Sequence, residues 1–182
     1  SKGEFLTVSL LEEKGYDPLA YRLFCLQSHY RKSLVFSWEN LDNAQGTYGK
    51  LIAKIAALKP STEVVDVAAY KALNDKFVAA LGNDLNTSLA VTALYDVLKY
   101  KTNDNTKLKL IAAFDSVLGL DLIAKAELKR EELKKQAVAA NSFTAANIAA
   151  PTNTRSTAVI IAAFVLFFIS FVYRELVDFG RK

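Results

Sequence analysis

The sequence predicts a mainly α protein, an antiparallel helical bundle with little strand, followed by a linker and one transmembrane helix. Three observations predict it. Apolar residues recur every three or four positions through most of residues 8–138, the period of a helix that buries one face. Capping residues stand where those periodic stretches begin and end. Residues 156–173 then form an apolar run without a single charge between Arg155 and Arg174.

Taken in order, Phe5 to Val8 reads as a short extended run, and a brief helix over Val8 to Lys14, with Leu10, Leu11 and two glutamates, follows, stopped by Gly15. Asp17 is the expected N-cap of a second helix. Pro18 sits in its first turn, where a missing N–H costs nothing, and Leu19, Leu23, Phe24 and Leu26 supply the apolar face. Residues 28–33 form a polar turn carrying His29, Tyr30, Arg31 and Lys32 in succession, and Leu34, Val35 and Phe36 read as extended. Ser37 caps a third helix, whose Leu41, Ala44, Tyr48, Leu51, Ile52 and Ile55 step by threes and fours until Pro60 and Ser61 break it. A fourth helix, from about Val65 to Leu81, places Ala69, Leu73, Phe77 and Ala80 on one side and ends in the turn at Gly82 and Asn83. Asn86 or Thr87 caps the fifth, which runs through Leu89, Ala93, Leu94, Val97 and Leu98 to a polar loop at 102–105. Leu108, Ile111, Phe114, Val117 and Leu118 mark a sixth helix ending near Gly119. The last, about 121–138, is rich in alanine, glutamate and lysine, with Glu127 to Arg130 and Glu131 to Lys134 or Lys135 at the spacing of supportive ion pairs. From 139 to 155 the composition turns to alanine, asparagine, threonine and serine without an amphipathic period, the signature of a linker.

As a helix the run at 156–173 covers about 27 Å, close to the hydrocarbon thickness of a bilayer. Its apolar residues leave no polar stripe, and Ser170, the one polar interruption after Thr157, can bond back to a carbonyl one turn earlier. Arg155, Tyr173 and Arg174 read as interfacial anchors. Ala158, Ala162, Ala163, Phe164, Phe167, Phe168 and Phe171 are the residues expected to pack against lipid or neighbouring helices. Arg174, Arg181 and Lys182 after the run, against Arg155 alone close before it, point to a C-terminal tail (174–182) on the cytoplasmic, stromal or matrix side of a single-pass membrane protein.

The net charge of +4, from 23 basic and 19 acidic residues, is spread too evenly to announce a nucleic-acid surface. The single cysteine, Cys25, excludes an intramolecular disulfide, and its apolar neighbours Leu23, Phe24 and Leu26 suit a buried, inert thiol. No glycine-rich phosphate loop, catalytic carboxylate pair, nucleophile triad or metal-ligand spacing occurs, so no catalytic residue, metal, cofactor or small-molecule substrate is expected. His29 alone in a polar turn suits local hydrogen bonding. Arg31 and Lys32 beside Tyr30 have the chemistry of RNA contacts, cations for phosphates and a ring for a base, although a solvated turn has the same composition. Trp38 and Tyr48, at helical positions, are expected in the core. The chain lacks methionine and starts with Ser1, which suggests a fragment.

The run SKGEFLTVSLLEEKGYDPLAYRLFCLQSHYRKSLVFSWENLDNA, with NDLNTSLAVTALYDVLK at 83–99, closely resembles bacterial cysteinyl-tRNA synthetases over roughly residues 1–135. The resemblance implies a stem-contact region at 1–37, in which Ser1 matches the final serine of a K-M-S-K-S loop, and at 38–138 the helical domain that lies along the tRNA anticodon stem. It also implies that the H-I-G-H motif, the zinc ligands and the K-M-S-K lysines of the family precede Ser1, so the chain by itself should not activate cysteine. A linker and an apolar helix stand where family members carry a small terminal domain.

Two functional readings follow. In the first, the chain is a non-catalytic, single-span accessory subunit whose helix packs among lipid and other subunits of a membrane complex. In the second, it is a tRNA-binding piece of a cysteinyl-tRNA synthetase that works with the missing catalytic half.

Overall fold

The computed structural model describes the backbone of residues 7–148 and side chains as far as residue 140. The apolar run at 156–173 and its flanks Arg155 and Arg174 lie outside the described residues. Among the described residues no helix is long and apolar enough to cross a membrane. The chain divides into two units, residues 1–130 and 131–182.

Seven helices and no strands make up the described residues: α1 (Val8–Glu13), α2 (Pro18–Leu26), α3 (Trp38–Ala57), α4 (Val67–Gly82), α5 (Thr87–Lys99), α6 (Asp104–Leu118) and α7 (Leu122–Ile148). Within the first unit α2 packs on α3, α4 on α5, and α6 against both α4 and α5, with α2 also reaching α5. The chain is thus mainly helical, as the periodicity predicts.

Side-chain caps set most of the boundaries. Asp17, Ser37, Asp66, Asn86 and Asn103 each accept a hydrogen bond from a backbone N–H of the following first turn, at 2.8–3.1 Å. Each satisfies a donor that the helix itself cannot. Gly119 ends α6 in the left-handed conformation, φ 63°.

The first helix starts at Val8, where its region was expected to begin, because the Thr7 hydroxyl accepts from Leu10 N there. Three other features depart from the sequence expectation. The extended run at 34–36 joins no sheet, and Phe36 is instead held by rings, edge-on to Phe24 and to Trp38. The loop expected at 102–105 is helical in its second half: Asn103 caps α6, and Asp104 in its first turn suits the positive end of the helix dipole. Finally, α7 continues to Ile148, well into the expected linker. Alanine is the strongest helix former, and Ala137, Ala139, Ala140, Ala145 and Ala146 carry the helix on although no amphipathic period remains.

The core is the meeting of the predicted apolar stripes. Leu51 and Ile55 of α3, Leu94 and Val97 of α5, and Leu110 and Ile111 of α6 are fully buried. Phe77 of α4 stacks on Phe114 of α6 with centroids 4.0 Å apart and planes 7° from parallel. The buried polar residue Thr106 is fully partnered, its hydroxyl donating to Asn103 Oδ1 at 2.7 Å and accepting from Asp66 N at 2.9 Å. Tyr48 is buried as expected. Trp38 is not: it stands 39% exposed at the start of α3, stacked on Tyr16 and covered by the Lys14 ammonium 5.1 Å from its ring. Leu41 in the same turn takes the core position, and the indole meets neighbouring aromatic side chains instead.

Candidate functional site

The sequence singles out His29, Tyr30, Arg31 and Lys32, and they stand together in the turn that leaves α2. The helix ends when Gln27 N bonds to Leu23 O and Ser28 N to Cys25 O. Lys32 N then donates to His29 O at 2.9 Å, closing a tight turn that presents all four side chains within one loop.

Inside this turn the polar groups are ordered by one another. Arg31 N–H donates to His29 Nδ1 at 3.2 Å, so a neutral His29 carries its proton on Nε2. The His29 and Tyr30 rings stack with centroids 4.9 Å apart and planes 22° from parallel. The Arg31 guanidinium lies 5.5 Å from the Tyr30 ring centroid, and its Nε donates to the Tyr30 hydroxyl at 3.0 Å. His29 therefore serves the local hydrogen bonding that a lone histidine in a turn suggests, and it also shelves Tyr30, which remains 61% exposed.

Sequence reasoning missed the group that ties this cluster down. Asp84, in the turn between α4 and α5, accepts from the Tyr30 hydroxyl at 2.7 Å and from Arg31 Nη2 at 2.9 Å, both on Oδ1. Its Oδ2 stands 3.7 Å from His29 Nε2. Thr87 at the start of α5 donates to Ser28 O at 3.3 Å, a second tie between the two turns. More than fifty residues separate the partners, so local pattern does not reveal the pairing. The signal present in the sequence was the Asn83–Asp84–Leu85–Asn86 stretch, since aspartate and asparagine are the residues that favour left-handed turn conformations. Asp84 and Leu85 both adopt one, at φ 55° and 50°.

Beside the cluster lies a cavity of about 570 Å³ lined by Gln27, Ser28, His29, Arg31, Lys32, Asn86, Ser88 and Leu89. Its walls combine two cations, amide and hydroxyl groups and one apolar side chain. Such a lining can hold a phosphate by charge and offer the exposed Tyr30 ring alongside for stacking.

Several titratable groups away from this turn serve the fold. Lys125 Nζ pairs with Asp17 Oδ2 at 2.7 Å. Arg130, at ion-pair spacing from Glu127, donates to the carbonyls of Ala56 and Leu58 at the end of α3. Cys25 is half-buried beside Tyr21. Burial, and then the thiol itself, push the Tyr21 phenol above its ordinary value. Among the described residues no three histidine, cysteine, aspartate or glutamate side chains gather as a metal site would require.

No family model matches the chain. It is similar to curated cysteine–tRNA ligases: 43% identical over 138 residues to that of Novosphingobium aromaticivorans, covering 74% of this chain and 27% of the relative. The cysteine–tRNA ligase 1 of Burkholderia lata is 37% identical over 123 residues, covering 67% of this chain and 25% of the relative. That of Borreliella burgdorferi is 32% identical over 148 residues, covering 74% and 29%. The matched stretch lies in the C-terminal part of these ligases. The chain spans between a quarter and three tenths of the length of the curated relatives it matches.

Proposed function

We propose that residues 7–138 form a tRNA-binding segment of the cysteinyl-tRNA synthetase kind, which contacts RNA through the turn of His29, Tyr30, Arg31 and Lys32 and has no catalytic role of its own. The observation that carries this reading is the match of about three quarters of the chain to enzymes named for joining cysteine to tRNA. The geometry supports it. Arg31 and Lys32 line a cavity wide enough for a phosphate, and Tyr30, stacked on His29 and with the Arg31 guanidinium over its ring, is still 61% exposed beside it. Cations position RNA through its backbone, while aromatic faces take unstacked bases. Catalysis is assigned to sequence that the relatives carry outside the matched stretch.

The apolar run at 156–173 supports a second element of the proposal, a single-span membrane tether for this domain. The accessory-subunit reading rests on that run alone, whereas the tRNA reading rests on most of the chain, so we place the membrane helix second, as an address.

Recovery of the chain from native membranes in mild detergent, with and without ribonuclease, tests both elements. The proposal expects tRNA in the recovered material and its loss, with any translation partners, after ribonuclease. A fixed set of membrane subunits indifferent to ribonuclease would refute the tRNA reading and favour the accessory subunit. Recovery without detergent would refute the tether.

A further inference from the structure

We propose that Asp84 is a built-in competitor for phosphate at Arg31, holding the guanidinium in the absence of RNA and exchanged for a phosphate oxygen when RNA binds, an inference that rests on the tRNA-binding reading of the same turn. A carboxylate oxygen and a phosphate oxygen make the same charge-assisted contact to a guanidinium, so the two are alternatives for one donor. Asp84 Oδ1 already receives that donor at 2.9 Å and takes the Tyr30 hydroxyl at 2.7 Å, while His29 Nε2 faces Oδ2. The carboxylate therefore bonds two of the four side chains expected to touch RNA and stands 3.7 Å from a third.

The turn that presents Asp84 is built rather than incidental. Asp84 and Leu85 both sit in left-handed backbone that side chains other than glycine adopt only at a cost. Leu85 N to Leu81 O at 3.0 Å, Asn86 N to Ala80 O at 3.2 Å and the Asn86 cap of α5 hold them there. The pair itself is weakly held, because Arg31 is 67% and Asp84 41% exposed. Exposed ion pairs contribute little, so a ligand can exchange one readily. Until it does, a fraction of the molecules have Arg31 occupied, and apparent affinity falls by that fraction. Lys32 lines the adjoining cavity and gives an incoming phosphate a first contact before the exchange.

The test is equilibrium binding of a tRNA transcript, at one fixed salt concentration, to the full 182-residue chain in mild detergent. Wild type is compared with Asp84→Asn, with Arg31→Ala, with the two combined, and with Arg31→Ala/Lys32→Ala. Asparagine keeps the size of the side chain and suits left-handed backbone, and Asp84→Gly, free of any Cβ, is a second probe with the same expected sign. Asp84→Asn should tighten binding by about 1.4- to fivefold, the range set by an exposed pair. That gain should vanish when Arg31 is already alanine. Unchanged or weaker binding by both Asp84 variants would overturn the proposal, because Asp84 would then only position its neighbours. A gain that survives the loss of Arg31 would overturn it too, since removing a negative charge from the surface would suffice. If Asp84→Asn fails to tighten while Arg31→Ala/Lys32→Ala still weakens binding, the competitor role alone falls. If that double change leaves binding untouched, the reading of the turn falls, and the competitor role with it.

Discussion

Asp17 shows how one side chain can serve two levels of structure. Its Oδ1 accepts from Leu19 N at 2.9 Å and caps α2, while its Oδ2 receives Lys125 of α7 at 2.7 Å. The two roles separate by substitution. Asp17→Asn keeps a capping oxygen and loses the ion pair, at an expected cost of about 0.5–1 kcal/mol, because both partners are partly solvated. Asp17→Ala loses both and should cost about 2 kcal/mol. Urea unfolding of the two variants distinguishes them, and equal losses would mean that the cap contributes nothing. Tyr48 makes a different prediction. Its hydroxyl donates to Leu120 O at 2.7 Å. Burial, reinforced by Asp17, Asp121 and Asp115, raises its pKa well above the ordinary tyrosine value. Below pH 10 the phenol is neutral in both states and its stabilisation is complete. Above pH 10 the unfolded chain ionises while the folded one resists, so stability falls as pH rises, by at most about 1.4 kcal/mol per pH unit from this residue. Tyr16, Tyr21 and Tyr95 are shifted the same way, so Tyr48→Phe should reduce the alkaline loss between pH 9 and 11 rather than abolish it. An identical slope in wild type and variant would refute the assignment.

At the scale of elements, local chemistry was legible where one residue decides the outcome. Asp17, Ser37, Asn86 and Gly119 mark helix ends in the sequence and do so in the fold. Gly119 carries the most testable of these. Its φ of 63° disfavours any Cβ, and a Cβ there would also stand 3.1 Å from Arg22 Nη2, whose Nε donates to Leu118 O at 2.6 Å. Moving the guanidinium aside would strain that bond, so Gly119→Ala should cost at least the backbone term of about 1–2 kcal/mol, readable as a drop in thermal midpoint. No change in midpoint would mean that α6 can end without a left-handed residue. Elements were illegible where the deciding partner is distant or the signal is propensity alone. Trp38 looked like a core residue because its spacing fits α3, but which neighbours surround a first helical turn depends on how α1 and α2 pack there. The continuation of α7 to Ile148 was hidden because an alanine-rich helix needs no apolar stripe. The four turn residues at 29–32 could be singled out from their chemistry. Asp84, which bonds two of them, could not, because the contact exists only once α4 and α5 have returned to α2.

At the scale of the whole molecule, a nearly even charge and a small basic turn at 29–32 fit the proposed reading of a domain that would contact RNA at few points. The similarity to cysteine–tRNA ligases was legible from residues 1–44 and 83–99, whereas function is less so, because the chain spans little more than a quarter of those relatives and the apolar run at 156–173 lies outside the described residues. RNA affinity falls with salt in proportion to the number of phosphates neutralised, so the salt dependence counts contacts directly. The measurement that tests the tRNA-binding reading most directly is therefore the slope of log binding constant against log salt for the full chain and for Arg31→Ala/Lys32→Ala. Two lost phosphate contacts should make that slope shallower by about 1.4–1.8, with affinity reduced at every salt concentration. Parallel lines of equal affinity would contradict the assignment of RNA binding to this turn.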